Sequence, residues 1–214
     1  PGSGVERYYS FFPTLYSRLA QEFGFYTSAP IMKYRFKGFW DSKIEAGVPF
    51  EVDWVIGSCL MIRKEIFLTL GGFDEAFFLY EEEVDLQYRM KKLGWKSKIL
   101  PECKVLHNHH SSTSKLGVMF ILYHEYRSRI IYSAKRYKWP LSIIRKALTL
   151  LSIYFRLVFF TITDFKSFGA SMKLMYLYFD LCGLVLQTKE MLLKSRFDFD
   201  SYAEYFKRAD NAKL

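Results

Sequence analysis

The stretch from Gly71 to Trp95, GGFDEAFFLYEEEVDLQYRMKKLGW, constrains this chain more than any other. Gly71 and Gly72 open it as a turn, and an aromatic run leads to Tyr80. Three carboxylates follow without a break, Glu81, Glu82 and Glu83, with Asp85 just beyond Val84. Val84, Tyr88 and Leu93 then recur at helical spacing, and Gly94 stands where a helix C-cap belongs. The helix dipole favours acidic residues in a first turn, which accounts for one or two of the four. It does not account for a triple cluster directly behind Phe77, Phe78, Leu79 and Tyr80. Apolar walls exclude water and strengthen the interaction of a carboxylate with a substrate proton or a metal. The stretch is therefore a candidate functional site.

Gly71-Gly72-Phe73-Asp74-Glu75, Phe78-Leu79-Tyr80, Glu82-Glu83, Val84-Asp85-Leu86, Arg89 and Gly94-Trp95 follow one another without a gap. This series resembles the signature of family 2 glycosyltransferases, in particular the bacterial rhamnosyltransferase-like branch. Many members of that family carry Glu-Asp where this chain has Glu82-Glu83. The resemblance assigns the catalytic base to Glu83, and because a Glu reaches one methylene further than an Asp, Glu82 stands as the alternative.

Composition limits what surrounds this site. Half of the 214 residues are hydrophobic and 19% are aromatic, which excludes a globally disordered chain and suits one or two domains. A formal charge of +9 suits an anionic partner: nucleic acid, phospholipid headgroups or a sugar nucleotide. Nucleic acid fits worst, because the basic residues are spread along the chain with no zinc-finger spacing or basic-region helix. Cys59, Cys103 and Cys182 are odd in number and far apart, which argues against a disulfide framework and fits a reducing compartment. The chain begins Pro1-Gly2-Ser3-Gly4, with neither an initiator Met nor a signal peptide, and carries no glycine-rich nucleotide loop. Together with the resemblance, this leads us to expect the later half of a longer protein, with the nucleotide-binding βαβ units in the other half.

Ahead of the central stretch, Thr14 is a candidate N-cap for a short helix to Glu22, closed by Gly24. Residues 27–47 read as a loop punctuated by Pro30, Gly38 and Gly47. Its aromatics, Tyr34, Phe36, Phe39 and Trp40, are either buried under the fold or a platform for sugar stacking. Val52 to Ile62 reads as a buried, β-rich segment interrupted at Gly57-Ser58. Asp53-Trp54 followed by Gly57 again resembles the family, which places a similar group near donor sugar and acceptor. The competing reading has Asp53 bonded only to nearby backbone. Arg63 to Leu70 reads as a short amphipathic helix.

After the central stretch, Lys96–Leu100 and Lys104–Leu106 are short strand candidates flanking Pro101. They lead to His107-Asn108-His109-His110. This cluster is open to three readings: a zinc site, though no cysteine or carboxylate lies beside it at ligand spacing; an exposed polar turn; or a divalent-metal site. The resemblance favours the third, with His107 as a ligand for Mn²⁺ or Mg²⁺ that bridges the donor's pyrophosphate. Lys115 to Lys138 predicts a long helix with Phe120, Tyr123, Ile130, Ala134 and Tyr137 on one face. Arg127, Arg129, Lys135, Arg136 and Lys138 make its other face basic, either solvated or set against anionic lipid. Its segment from Tyr123 to Ser128 also resembles the aromatic and basic helix that follows the family's catalytic core.

Ala147 to Thr163 is the most apolar stretch, but it falls short of the ~20 residues of a span and has Arg156 within it. Leu174 to Leu186 is shorter and carries Asp180. Both suit helices lying in a membrane interface or packed on each other. Asp198-Phe199-Asp200 matches the Asp-x-Asp metal motif of glycosyltransferases, but it lies far behind the acidic pair that the motif should precede.

The fold class expected is α/β. Residues 1–114 would form the acceptor-side half of a GT-A-like (Rossmann-like) catalytic domain, and residues 115–214 an α-helical membrane-associating region. The function implied is inverting transfer of rhamnose or a similar sugar from a nucleotide-diphosphate donor to a saccharide, with a lipid-linked saccharide expected, in surface-polysaccharide synthesis. In that scheme Asp53, Trp54, Gly57, Asp85 and Arg89 bind substrate. The protein would lie in the cytoplasm, peripheral on the inner face of the cell membrane. Two rival classes are a non-catalytic membrane-surface module and a metal-dependent hydrolase built on the same carboxylates.

Overall fold

Burial alternates across Phe50, Glu51 and Val52, which is the period of a half-buried strand. The computed structural model forms strand β2 there (Phe50–Val52), paired antiparallel with β4 (Ser97–Ile99) so that Phe50 faces Ile99 and Val52 faces Ser97. A second pair joins β1 (Tyr9–Ser10) to β3 (Trp54–Val55), also antiparallel. The structure describes residues 9–14, 16–18, 41–105, 118–138, 140–163 and 183. The chain divides into two units that are not contiguous in sequence: Pro1–Asp74 with Glu82–Asn108, and Glu75–Glu81 with His109–Leu214. Helix and sheet are mixed, in keeping with the expected class.

The first unit holds both strand pairs and two helices, α1 (Lys64–Thr69) and α2 (Glu82–Lys92). Phe50, Val52 and Val55 form one buried cluster, and Ile66, Leu86 and Met90 form another, with Leu60 packed against both. Each helix ends in the same way. After α1, the Gly71 N–H bonds the Leu68 carbonyl and the Gly72 N–H bonds that of Phe67; after α2, Gly94 and Trp95 bond Lys91 and Met90. This is the Schellman arrangement, and it needs a left-handed residue after the helix. Gly71 (φ 73°) and Gly94 (φ 84°) supply it without a Cβ penalty.

Several expectations hold and several are corrected. Thr14 caps as expected: its Oγ1 accepts from the Ser17 N–H at 3.1 Å, while the Ser17 hydroxyl accepts from the Thr14 N–H at 2.9 Å. Gly47 (φ 66°) follows a helical turn at 41–45, so the expected loop is helical in that part. Burial of the segment from Val52 weakens beyond Val55: Gly57–Cys59 form a 3₁₀ turn and Met61 is 98% exposed. Lys104 and Val105 belong to no strand, and no described residue pairs with them after the turn at Pro101. The buried side of α2 runs through Val84, Leu86 and Met90 and takes in Asp85 and Gln87, while Leu93 lies past the helix end and is exposed.

In the second unit, α3 (Val118–Arg136) is buried nearly all round, which makes it the unit's central helix. Phe120, Tyr123, Ile130 and Ala134 are buried as expected. The basic face is not fully solvated: Arg127 is buried and donates to the Ala76 carbonyl at 2.7 Å, and Arg129 pairs with Glu125 one turn away. The Ser128 hydroxyl donates to the Leu79 carbonyl at 2.7 Å, so two successive residues of α3 hold the segment Glu75–Glu81. Tyr80 (φ 65°) and Glu81 (φ 69°) end that segment in the left-handed region, where a side chain carries strain. Helix α4 (Leu141–Thr163) follows. No described helix is long and apolar enough to cross a membrane. Expectations for residues 19–40, His107, His109, His110, Leu174–Leu186, Cys182 and 198–200 lie outside the described residues.

Candidate functional site

The site is built on the packing of α2 against β3, and a buried amide joins the two. The Gln87 Oε1 accepts from the Val55 N–H at 2.9 Å, and its Nε2 donates to the Val55 carbonyl at 2.7 Å. The same Nε2 donates to the Glu83 carbonyl at 3.0 Å, and the Ser97 hydroxyl donates to Oε1 at 3.1 Å. All four hydrogen bonds of the amide are thus made, as burial at 1% exposure demands. Gln87 does for β3 what a neighbouring strand would do, using a helix side chain.

Glu83 stands one turn before Gln87, in the first turn of α2 beside Glu82 and Asp85. It is buried, and Glu82 is half-buried. Gly57, two residues past Val55, comes close to it: a Cβ on Gly57 would lie 3.8 Å from the Glu83 Cβ. The fold therefore brings together Glu83 and Gly57, two residues expected in the site. Glu81 belongs to the other unit, with the aromatic run. In that unit Phe77 lies under the Lys135 ammonium, and Phe78 meets Phe120 edge to face and packs at a tilt against His124.

The other expected residues are engaged in bracing. Asp53 Oδ2 accepts from the Phe12 N–H at 2.9 Å, and Oδ1 pairs with the Lys91 ammonium of α2 at 2.6 Å. The Trp54 indole N–H donates to the Phe11 carbonyl at 2.9 Å. Neither contact is to the backbone next to Asp53: Phe12 lies 41 positions away in sequence and Lys91 lies 38 away. Asp85, buried to 1% exposure, accepts from Arg89 Nε at 2.7 Å. The Arg89 Nη1 and Nη2 reach the Leu70 and Gly72 carbonyls at 2.7 and 2.9 Å. Arg89 thereby ties α2 to the glycine turn through two charge-assisted bonds, while its third, to Asp85 in the same helix, holds the guanidinium fork in place.

Among the described residues no three His, Cys, Asp or Glu side chains come together as metal ligands. Sequence reasoning passed over Gln87 and Ser97. Gln87 carried a signal, being a polar residue four positions after Glu83 on the buried side of a helix; Ser97 carried none.

Comparison with known proteins decides which chemistry this arrangement resembles. Over 86 residues, 40% of the chain, it is 41% identical to the N-acetylglucosaminyl-diphospho-decaprenol L-rhamnosyltransferase of Mycobacterium tuberculosis. The similarity is to glycosyltransferases. The rhamnosyltransferase WbbL of Escherichia coli is 33% identical over 70 residues, 32% of the chain and 26% of that protein. The low-salt glycan biosynthesis hexosyltransferase Agl10 of Haloferax volcanii is 30% identical over 85 residues, 38% of the chain and 27% of that protein. The matched segment spans 28% of the mycobacterial glycosyltransferase, so each likeness concerns about a quarter of a longer protein. No protein-family model and no solved structure matches the chain.

Proposed function

We propose that this chain forms the acceptor-side part of a GT-A-like, inverting family 2 glycosyltransferase acting in glycan or surface-polysaccharide synthesis. The observation that carries the reading is the 41% identity over 86 residues to an L-rhamnosyltransferase. The burial of Glu83 in the first turn of α2 beside Gly57 supports it from the structure. The donor is a deoxythymidine- or uridine-diphosphate sugar, with rhamnose as the sugar, and the acceptor is a lipid-linked saccharide. An acceptor hydroxyl attacks the anomeric carbon, forming the new glycosidic bond as the bond to the diphosphate oxygen breaks. The bond's electron pair leaves on the diphosphate, and the hydroxyl proton passes to the Glu83 carboxylate, or to that of Glu82. Inversion follows from a single in-line displacement.

Two further parts of the proposal are a divalent metal held in part by His107 and binding to the inner membrane face through the helical unit. Transfer from deoxythymidine-diphosphate rhamnose to a lipid-linked saccharide by the full-length protein is the test. Release of free sugar at the same rate without acceptor would instead favour a hydrolase, and no consumption of any nucleotide sugar would favour a non-catalytic module. For the metal, His107→Ala is expected to weaken Mn²⁺-dependent donor binding more than His109→Ala or His110→Ala. Equal effects at all three in a titration would return the cluster to a polar turn.

A further inference from the structure

We infer that Gln87 is a positioning residue for the reaction: its buried amide fixes where α2 stands on β3 and so places the Glu83 carboxylate. The inference rests on the reading of Glu83 as the base. Three elements meet at this one side chain. It makes two bonds to the Val55 backbone in β3, one from Ser97 at the start of β4, and one to the Glu83 carbonyl in its own helix.

A helix packed by apolar contacts alone can slide or rotate by a fraction of an ångström at little cost, because such contacts are non-directional. A bidentate amide on a strand's N–H and C=O cannot, because hydrogen bonds weaken steeply with angle and a buried unmet partner costs about 1–3 kcal/mol. The bond from Nε2 to the Glu83 carbonyl carries the constraint one turn up the helix, to the residue whose Cβ lies 3.8 Å from the position of a Gly57 Cβ. Through this bond and the two to Val55, the backbone that bears the Glu83 carboxylate is held in register with β3 and the turn at Gly57–Cys59 that follows it. Gln87 itself is buried to 1% exposure and fully engaged, so it acts through Glu83 and does not touch substrate.

A double-mutant cycle in the full-length protein separates this role from a merely structural one. Gln87→Met keeps the length of the side chain and removes the amide. It is expected to lower kcat about 10- to 100-fold, the scale of a misplaced catalytic group, with donor KM unchanged. In a Glu83→Gln background the same substitution is expected to change the residual rate less than about twofold, since there is no base left to misplace. An equal factor in both backgrounds, or no effect on kcat in the first, would overturn the inference while leaving Glu83 as the base. Wild-type turnover in Glu83→Gln would overturn the base and the positioning role together. Should Gln87→Met fail to fold, Ser97→Ala removes one of the four bonds and spares the core. Its smaller loss of kcat, about two- to fivefold, must likewise vanish when Glu83 is Gln, and a loss that persists there overturns the inference.

Discussion

The imidazole of His124 packs against the rings of Phe78, Phe120 and Tyr123 at centroid distances of 4.6, 4.5 and 5.2 Å, with no exposed surface. Burial, and then the Arg127 charge, push its pKa down from 6.5 to about 3. The folded chain therefore holds His124 neutral, while the unfolded chain protonates it near 6.5. Between those values the unfolded state binds more protons, so this contribution is complete above pH 6.5 and is lost as pH falls toward 3. The loss is on the order of a few kcal/mol. Urea midpoints at pH 7 and 4.5 should differ less for His124→Leu than for the wild type; equal differences would contradict the assigned pKa. None of this was legible in the sequence, where His124 stood in a helix resembling the family's basic one. A neutral core histidine and an exposed one are the same letter, and the rings that desolvate it come partly from 46 positions away, at Phe78. Asp85 and Arg89 were read from the sequence as substrate-binding residues, and their pairing into a brace on the glycine turn was not legible there.

Elements whose signals are local were read most accurately. The Thr14 cap and the glycine ends of α1 and α2 each follow from a residue type at a fixed offset, and each is found in place. Patterns that depend on distant partners were read less well. The apolar run from Ala147 was legible, but α4 begins earlier, at Leu141, and its polarity is inverted. Arg145, Thr149 and Ser152 recur at helical spacing and are buried, whereas Leu141, Ile144, Leu151 and Phe155 are about half exposed on another side. Such a face is large for exposure to water and suits an interface of headgroups and acyl chains. Lys138, exposed just before α4, adds attraction to anionic lipid that salt screens. Co-sedimentation with anionic vesicles is therefore expected to fall, without vanishing, as salt rises. No binding at low salt would contradict a membrane role, and resistance to both salt and carbonate would point to a spanning helix.

At the scale of the molecule, the two units interleave along the chain, because Glu75–Glu81 belongs with the later helices. Arg127 and Ser128 make that assignment through bonds to residues 51 and 49 positions away, contacts that no local pattern announces. The mixed class was legible, since alternating burial and helical spacing are intrinsic to each segment. The short strand pairs could be placed only once β4 was seen on β2 and β1 on β3. The likeness to glycosyltransferases was legible because the residues that carry the resemblance in the sequence form one unbroken run, Gly71 to Trp95. The central claim is that the carboxylate at the start of α2 takes the acceptor proton. Single-turnover transfer by Glu83→Gln, measured beside donor binding, tests it most directly. The account predicts a rate lowered by about 10²–10⁴ with donor affinity nearly unchanged. Near-normal transfer in Glu83→Gln with Glu82→Gln inactive would move the role one residue back, and normal transfer in both would contradict the account.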